Sequence, residues 1–464
     1  MKFRPRTALL ALPVAVALLV SGCTGGGSGS GESAGAANSN GTVTFEGSEP
    51  QNTDFLPANS VEQGGAYVAD NIYAGLVAYN PDTAKPYNLM AKSIKTTDSK
   101  VYDITIKKGW KFHDGTEVKA KNYVDAWNYA AYGPNAQLAA NFFSQIQGYD
   151  AVHPADPKAK PTAKTMSGLK VLGDDEFQVT LKAPFSVFPT KIGYVAFDPL
   201  PDAFFNDPAK FKKHPIGDGP VKFVSFTPNQ SIKMTRFDGY KGSNAVHVKN
   251  INIRIYTNLE AAYADLKAGN LDFMDQFPPS ALVGNTYKKD LGDHVLKATL
   301  IGVDTIAVPE YLPEYKNIDL RRAISMAIDR QSITSKVLSN AYVPANGYLP
   351  SDLDGYKADQ CQYCTYNPAL AKQMFAKSGF NGKKLTITSN SDGGHAEAMT
   401  GICNSIQNVL GVECDYIPAT SFGSFRQTVV AKQATGMLRS DWSADYPSIE
   451  DFVNPLYKTG GPSD

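Results

Sequence analysis

The sequence predicts an α/β protein whose sheets are largely covered by helices, and two observations carry that expectation. Short segments that alternate apolar and polar residues, such as Val101–Ile106, recur along the chain, and segments of helical spacing, such as 122–132 and 395–410, fall between them. After the N-terminus, no apolar stretch approaches the roughly 18 residues that a membrane helix needs.

The N-terminal end reads as an address. Lys2, Arg4 and Arg6 precede an uncharged run, 7–20, that is too short to span a bilayer comfortably as a helix. It stops at Val20-Ser21-Gly22-Cys23, which resembles the bacterial lipobox, where the cysteine becomes the lipid-bearing first residue after cleavage. An ordinary secretion signal with an incidental cysteine is the plainer alternative. Residues 24–40 are nearly all Gly, Ser, Ala and Asn, too poor in apolar surface to offset chain entropy, and so suit a tether. The expected order is a signal peptide over 1–22, a tether over 23–40, and a folded body from about Gly41. That body is long enough for two or three domains at roughly 150 residues each.

Lys plus Arg number 45 and Asp plus Glu number 45, so net charge draws the protein neither to nucleic acid nor to an anionic membrane face. Its membrane contact is expected through the lipid only. With 24 Tyr and 23 Phe, a share of the aromatic residues is available to line a ligand cleft, while most pack in cores.

In chain order, 41–45 reads as a first strand and 64–78 as a helix. Val101–Ile106 is a strand, Asp114-Gly115 a turn, and 122–132 a helix. Strands at 168–172 and 176–181 flank Gly173-Asp174-Asp175, a hairpin signal. The Pro- and aromatic-rich stretch 184–220 suits loops with short helices; 221–227 with 231–237 forms a second hairpin, and 251–256 a strand. A helix over 259–268 ends at Gly269-Asn270 before a strand at 271–274. Helices at 320–339, 368–378 and 395–410, with a strand at 384–389, complete the pattern, and no internal repeat is visible.

The usual catalytic constellations are missing. There is no His-Glu-x-x-His, no Gly-x-Ser-x-Gly elbow and no phosphate-cradling Gly-x-x-x-x-Gly-Lys-Ser/Thr, and the six His are scattered. Neither a catalytic site, a metal site nor a cofactor is therefore expected. A secreted hydrolase built on paired carboxylates is the remaining enzymatic alternative.

Four segments together resemble family 5 of the extracellular solute-binding proteins, the oligopeptide- and dipeptide-binding group of ABC importers. The most specific runs from Tyr102 through Lys107-Lys108-Gly109-Trp110-Lys111-Phe112-His113-Asp114-Gly115 to Asn122, a strand, a tight turn and a helix start. It makes structural sense by itself, so His113 and Asp114 are not read as a catalytic pair. The second segment, 259–278, resembles the family's helix-Gly-strand crossover. The third, 319–331, resembles its most regular helix, in which Ile324, Ile328 and neighbouring Ala residues form an apolar stripe suited to core packing. The fourth, Trp442-Ser443-Ala444-Asp445-Tyr446-Pro447, is similar to the ligand-contacting motif of the peptide binders.

The resemblance implies a two-lobed periplasmic-binding-protein-like fold with a hinge and an extra small inserted domain. On that pattern the first lobe takes 41–87 and 214–303, the inserted domain 88–213, and the second lobe 304–464. Relatives continue past the Trp-Asp motif and cross back to the first lobe, so the C-terminal part is expected to be missing here. The implied function is capture of oligopeptides by lobe closure and delivery to ABC permease subunits, by a monomer lipid-anchored outside the cytoplasm. Asp445 occupies the position of the ammonium-binding carboxylate, Trp442 and Tyr446 stand as cleft wall, and Asp441 is the acidic neighbour expected to be structural. A carboxylate in an aromatic cleft suits a primary ammonium, whereas an oligosaccharide does not need it. Nickel chelates, haem or sugars remain the alternative solutes.

Four further cysteines are expected to pair as Cys361 with Cys364 and Cys403 with Cys414, because the exported compartment is oxidising and each pair is near in sequence. A single zinc site is the competing reading, but Cys403 and Cys414 are too far apart to form a second Cys-x-x-Cys knuckle. Cys361-Gln-Tyr-Cys364 as a redox motif lacks a helix N-terminus at its first cysteine.

Overall fold

The computed structural model describes residues 39–391 and 393–458. The leader, Cys23 and nearly all of the tether lie outside the described residues. The chain divides into two compact units, one reaching to Ile255 and including the segment from Ala444 onward, the other Tyr256–Ser443.

The first unit carries ten strands: β1 Thr42–Gly47, β2 Val77–Tyr79, β3 Pro86–Asn88, β4 Ala91–Lys95, β5 Val101–Ile106, β6 Leu169–Gly173, β7 Glu176–Thr180, β8 Val221–Thr227, β9 Ser231–Arg236 and β10 Asn250–Ile255. They form sheets in the orders β1-β10-β9-β8 and β4-β5-β7-β6, with β2-β3 a small ribbon. Only β1 with β10 is a parallel pair within them, joining segments some two hundred residues apart through Thr42↔Asn250 to Gly47↔Ile255. The second sheet lies inside the stretch anticipated as an inserted domain.

Helix Ala120–Ala131 buries Tyr123 and Trp127 against this second sheet. The Trp127 ring meets Phe177, Phe188 and Phe197 edge-to-face at centroid distances of 5.6, 6.4 and 5.2 Å, and its Nε1–H donates to the Phe197 carbonyl at 2.7 Å. The indole therefore buries its apolar body while its one donor is satisfied. The preceding turn is of the expected kind. Thr116 N–H donates to Asp114 Oδ1 at 2.9 Å, and Gly115 adopts φ +90° with open space where a Cβ would stand, so backbone conformation rather than crowding requires glycine there.

Helix Gln63–Ile72 is capped by Glu62, whose carboxylate accepts from Gly64 N–H at 2.8 Å and Gly65 N–H at 2.7 Å. It ends six residues before the expected Ala78, with Tyr73 already extended at φ −111°, ψ 163°. The stop is imposed by Gly217-Asp218-Gly219. Gly219 N–H donates to the Ile72 carbonyl at 2.9 Å, and Ala74 N–H donates to Asp218 Oδ1 at 3.0 Å, so an acceptor and the next donor that the helix would need are already engaged. A Cβ on Gly217 would collide with the Ile72 carbonyl. His113 bolts the same loop from the other side: its backbone N–H donates to Gly217 O at 2.8 Å, Gly217 N–H donates to Nδ1 at 3.2 Å, and Nε2–H faces Gly219 O at 3.0 Å.

The second unit holds one sheet, β11 Gly302–Ala307, β12 Lys384–Asn390, β13 Glu413–Ala419 and β14 Met437–Ser443, in the order β11-β14-β12-β13. β12 runs parallel to both neighbours and β11 antiparallel to β14. Helices Ile318–Ala327, Pro368–Ser378 and Ala396–Leu410 cover it through Ile324, Ala371, Met399, Ile406, Ile387 and Met437. Among the described residues no helix is long and apolar enough to cross a membrane.

Two further expected elements differ. The helix anticipated over 320–339 breaks after Ala327, where Ile328 is extended at φ −87°, ψ 110°. Ser405 explains the break: its hydroxyl donates to Ala327 O at 2.7 Å and accepts from Asp329 N–H at 2.9 Å, replacing intrahelical partners from a neighbouring helix. Asp329 then caps a new turn by accepting from Ser332 N–H at 3.0 Å. The strand anticipated at 271–274 does not form, because Leu271 and Met274 fold back onto Ala262, Tyr263 and Ala281 in a local cluster. That cluster belongs to the second unit, which spans Tyr256–Ser443; the first unit resumes at Ala444.

Cys361 and Cys364 sit at disulfide distance with Cα atoms 5.3 Å apart; Cys403 and Cys414 do so at 5.0 Å, linking helix Ala396–Leu410 to β13. Closing that second loop stabilises the fold by about 3 kcal/mol through the entropy removed from the unfolded chain. Chemical denaturation of Cys403→Ala/Cys414→Ala should show a loss of that size, with reductant then having no further effect on this helix-strand link. Four free thiols in the unfolded, unreduced protein would contradict the pairing.

Burial depresses the His113 pKa from 6.5 to about 4, opposed by the Gly219 carbonyl. A histidine kept neutral in the fold contributes its stability above pH 6.5, and that contribution, about 3 kcal/mol, is lost as pH falls from 6.5 towards 4. The buried Asp198 and Asp218 act in the opposite sense, their raised pKa values favouring the fold at low pH. The His113 ring is therefore best followed directly. Its proton resonance should titrate near pH 4, and titration at 6 or above would show the loop contact to be absent.

Candidate functional site

Asp445 lies two residues past the end of β14, next to Ala444, where the chain re-enters the first unit. What holds it is a buried ion pair further along the same segment. Lys191, only 5 % exposed, approaches Glu450 Oε1 at 3.4 Å, and its ammonium lies 5.4, 5.8 and 5.6 Å from the ring centroids of Phe142, Phe185 and Tyr446. Burial pushes the Lys191 pKa down, while Glu450, Asp451 and Asp445 push it back up. Glu450 also accepts from Gln145 Nε2 at 3.1 Å, from the Asn454 amide and from the Tyr446 hydroxyl. Asp451, fully buried, accepts the Asp445 backbone N–H at 2.7 Å.

These contacts set Asp445 on the wall of a cavity of about 50 Å³ in the first unit. Asp70, Asp198, Tyr73, Tyr79 and Tyr240 share that wall. The Asp198 carboxyl is pushed well above the usual carboxylate range by desolvation, then by Asp218 and Asp70. Asp218, behind it, is shifted the same way by burial despite accepting from Ala74 N–H. The cavity is thus aromatic-walled and acidic, an environment that favours a cation.

Of the residues singled out from the sequence, Asp445 reaches this cavity. Tyr446 does not: it is 2 % exposed, its hydroxyl committed to Glu450 and its ring to Phe142 and Lys191. Trp442 is half-buried at the end of β14, paired in register with Val303 in the second unit. Asp441 bonds Arg439 at 2.6 Å, consistent with a structural carboxylate. Across the strand pair, Asp304 is raised to about 6 by desolvation and by Asp441, with Arg439 opposing. Lys191, Asp198 and Asp218 were not anticipated. The glycines on both sides of Asp218 were the one visible signal, marking backbone that packs too closely for a side chain.

The sequence matches the profile of the bacterial extracellular solute-binding proteins, family 5 (middle region), over residues 85–464. The oligopeptide-binding protein OppA of Bacillus subtilis (strain 168) is 24 % identical over 433 residues, covering 89 % of this chain and 77 % of that protein. The glutathione-binding protein GsiB of Pectobacterium atrosepticum is 24 % identical over 417 residues, covering 88 % and 76 %. Among solved structures, the murein tripeptide binding protein MppA of Escherichia coli superposes with a TM-score of 0.82 at 22 % identity, covering 91 % of this chain and 83 % of that one. Haemophilus influenzae OppA in complex with RPPGFSPFR gives 0.81 at 21 %, covering 92 % and 84 %. The two-lobed periplasmic-binding-protein fold is that of these neighbours, and the chain belongs to the family 5 bacterial extracellular solute-binding proteins.

Proposed function

We propose that this protein captures peptides outside the cytoplasm and presents them to the permease subunits of an ATP-driven importer, with Asp445 holding the ligand's α-ammonium group. The observation that carries the reading is the Asp445 carboxylate on the wall of an acidic, tyrosine-lined cavity, inside the Trp-Ser-Ala-Asp-Tyr segment. An ionised carboxylate in a site that closes to water is costly until a cation satisfies it, and a peptide N-terminus supplies that cation. One charge pair then fixes register while backbone groups of the ligand are met by main-chain and amide partners, which tolerates many sequences. Trp442 serves as cleft wall, and Tyr446 acts beneath the site, holding Lys191 and Glu450 where they place Asp445.

Relatives named for oligopeptides and for glutathione support a peptide-like ligand over a nickel chelate, haem or a sugar. Binding without turnover is supported by the same comparison, since the relatives are named as binding proteins. The protein works as a monomer, tethered by lipid at Cys23.

Truncating one partner of a buried charge pair costs roughly 2–5 kcal/mol, so Asp445→Asn should weaken peptide binding at least about tenfold in calorimetry. N-acetylation of the peptide should cause a similar loss with the parent protein. Equal binding of free and acetylated peptides would place the ammonium site elsewhere.

Cys23→Ala should move the protein from the detergent phase to the aqueous phase, or leave uncleaved precursor, in phase-partitioning of whole-cell extracts. Since one acyl chain gives only marginal attachment, the parent should carry more than one. Unchanged partitioning of the variant would remove the lipid anchor from the reading.

A further inference from the structure

The cavity beside Asp445 carries more acidic groups than one ammonium needs. Asp198 lines it at 5 % exposure, and among the described residues its carboxylate has neither a hydrogen-bond donor nor a lysine or arginine partner. Its place is kept open by Gly75, where a Cβ would collide with Asp198 Oδ1. The polar groups around it are incompletely satisfied: the Tyr73 hydroxyl and Asp218 Oδ2 are buried without a hydrogen-bond partner. Buried polar groups are normally paired, so a cluster with several open positions has room for a ligand's donors. Asp218 has a structural task in holding Ala74 N–H, whereas Asp198 has none of that kind.

We propose that this cavity is a cation subsite that takes the side-chain ammonium of a basic first residue, lysine or a similar aminoalkyl chain, beside the α-ammonium at Asp445. The inference rests on the peptide reading above. Tyr79 donates its hydroxyl to Thr190 O at 2.7 Å and Tyr240 to Asn244 Oδ1 at 2.6 Å, so both commit their polar ends elsewhere and offer ring surface to the cavity. Ring faces attract ammonium groups and accommodate methylenes. A cavity of about 50 Å³ has room for a small group such as the end of an aminoalkyl chain. Burial raises the Asp198 pKa, and an arriving ammonium reverses that shift by giving the carboxylate a partner.

The test compares Lys-Ala-Ala with norleucyl-Ala-Ala, which keeps the carbon chain but lacks the ammonium, by calorimetry in chelator-treated buffer free of divalent cations and at constant monovalent salt. The parent protein should prefer the lysyl peptide at least tenfold, and Asp198→Asn should cut that preference below threefold. Should Asp198→Asn not fold, Asp70→Asn on the same wall must narrow the preference instead. Equal affinities in the parent, or a preference unchanged in the folded variant, would overturn the subsite while leaving peptide binding intact. Failure of both peptides to bind the parent would overturn the peptide reading itself.

Discussion

A lysine buried beneath three aromatic rings must be given a carboxylate, and the segment returning to the first unit is organised around that demand. Lys191 is supplied with Glu450, and Glu450 is in turn held by Gln145, Asn454 and the Tyr446 hydroxyl. Removing either charge would strand the other in a medium where an unpaired ion costs several kcal/mol. Residues 444–458 are therefore fixed to the first unit by polar contacts as much as by Phe452 and Pro455, and Asp445 is placed as a consequence.

A second buried polar device works a short distance away, at the C-terminus of helix Gln63–Ile72. There the negative end of the helix dipole and the Asp218 carboxyl face each other, an arrangement that disfavours ionisation and agrees with the raised pKa of Asp218. Burial raises both Asp218 and Asp198, but only Asp218 accepts a backbone N–H, which leaves Asp198 as the carboxyl on the cavity wall without a donor among the described residues. One carboxyl thus serves the backbone and the other serves the cavity, a division set by which oxygen has a donor within reach.

Elements whose period is local were legible in the sequence: Val101–Ile106, the Asp114-Gly115 turn, the 168–181 hairpin and helix Pro368–Ser378 lie where alternation, turn residues and spacing put them. What escaped reading was decided by partners distant in sequence. Helix 320–339 carries an uninterrupted apolar pattern, and only Ser405, some seventy residues later, supplies the competing hydrogen bonds that break it. Helix 63–72 is cut short in the same way by Gly217-Asp218-Gly219. The strand expected at 271–274 does not form, because a four-residue run cannot distinguish a strand from a loop packing on its own helix.

The site divides along the same line. Asp445 could be singled out because it stands within a short contiguous motif, whereas Lys191, Asp198 and Asp218 come together only when strands and loops more than a hundred residues apart meet. The motif names an acid but says nothing of its surroundings, and the surroundings decide what the acid can do. Asp441, two residues after Arg439 on the same strand, is bonded to that guanidinium, whereas Asp445 stands on the cavity wall. That wall is shared by Asp70 and Asp198, and burial and the neighbouring acids raise the Asp198 pKa. Positive charge entering there gives the Asp198 carboxyl a partner, so the composition of the wall supports the proposal of recognition by charge rather than by side-chain shape.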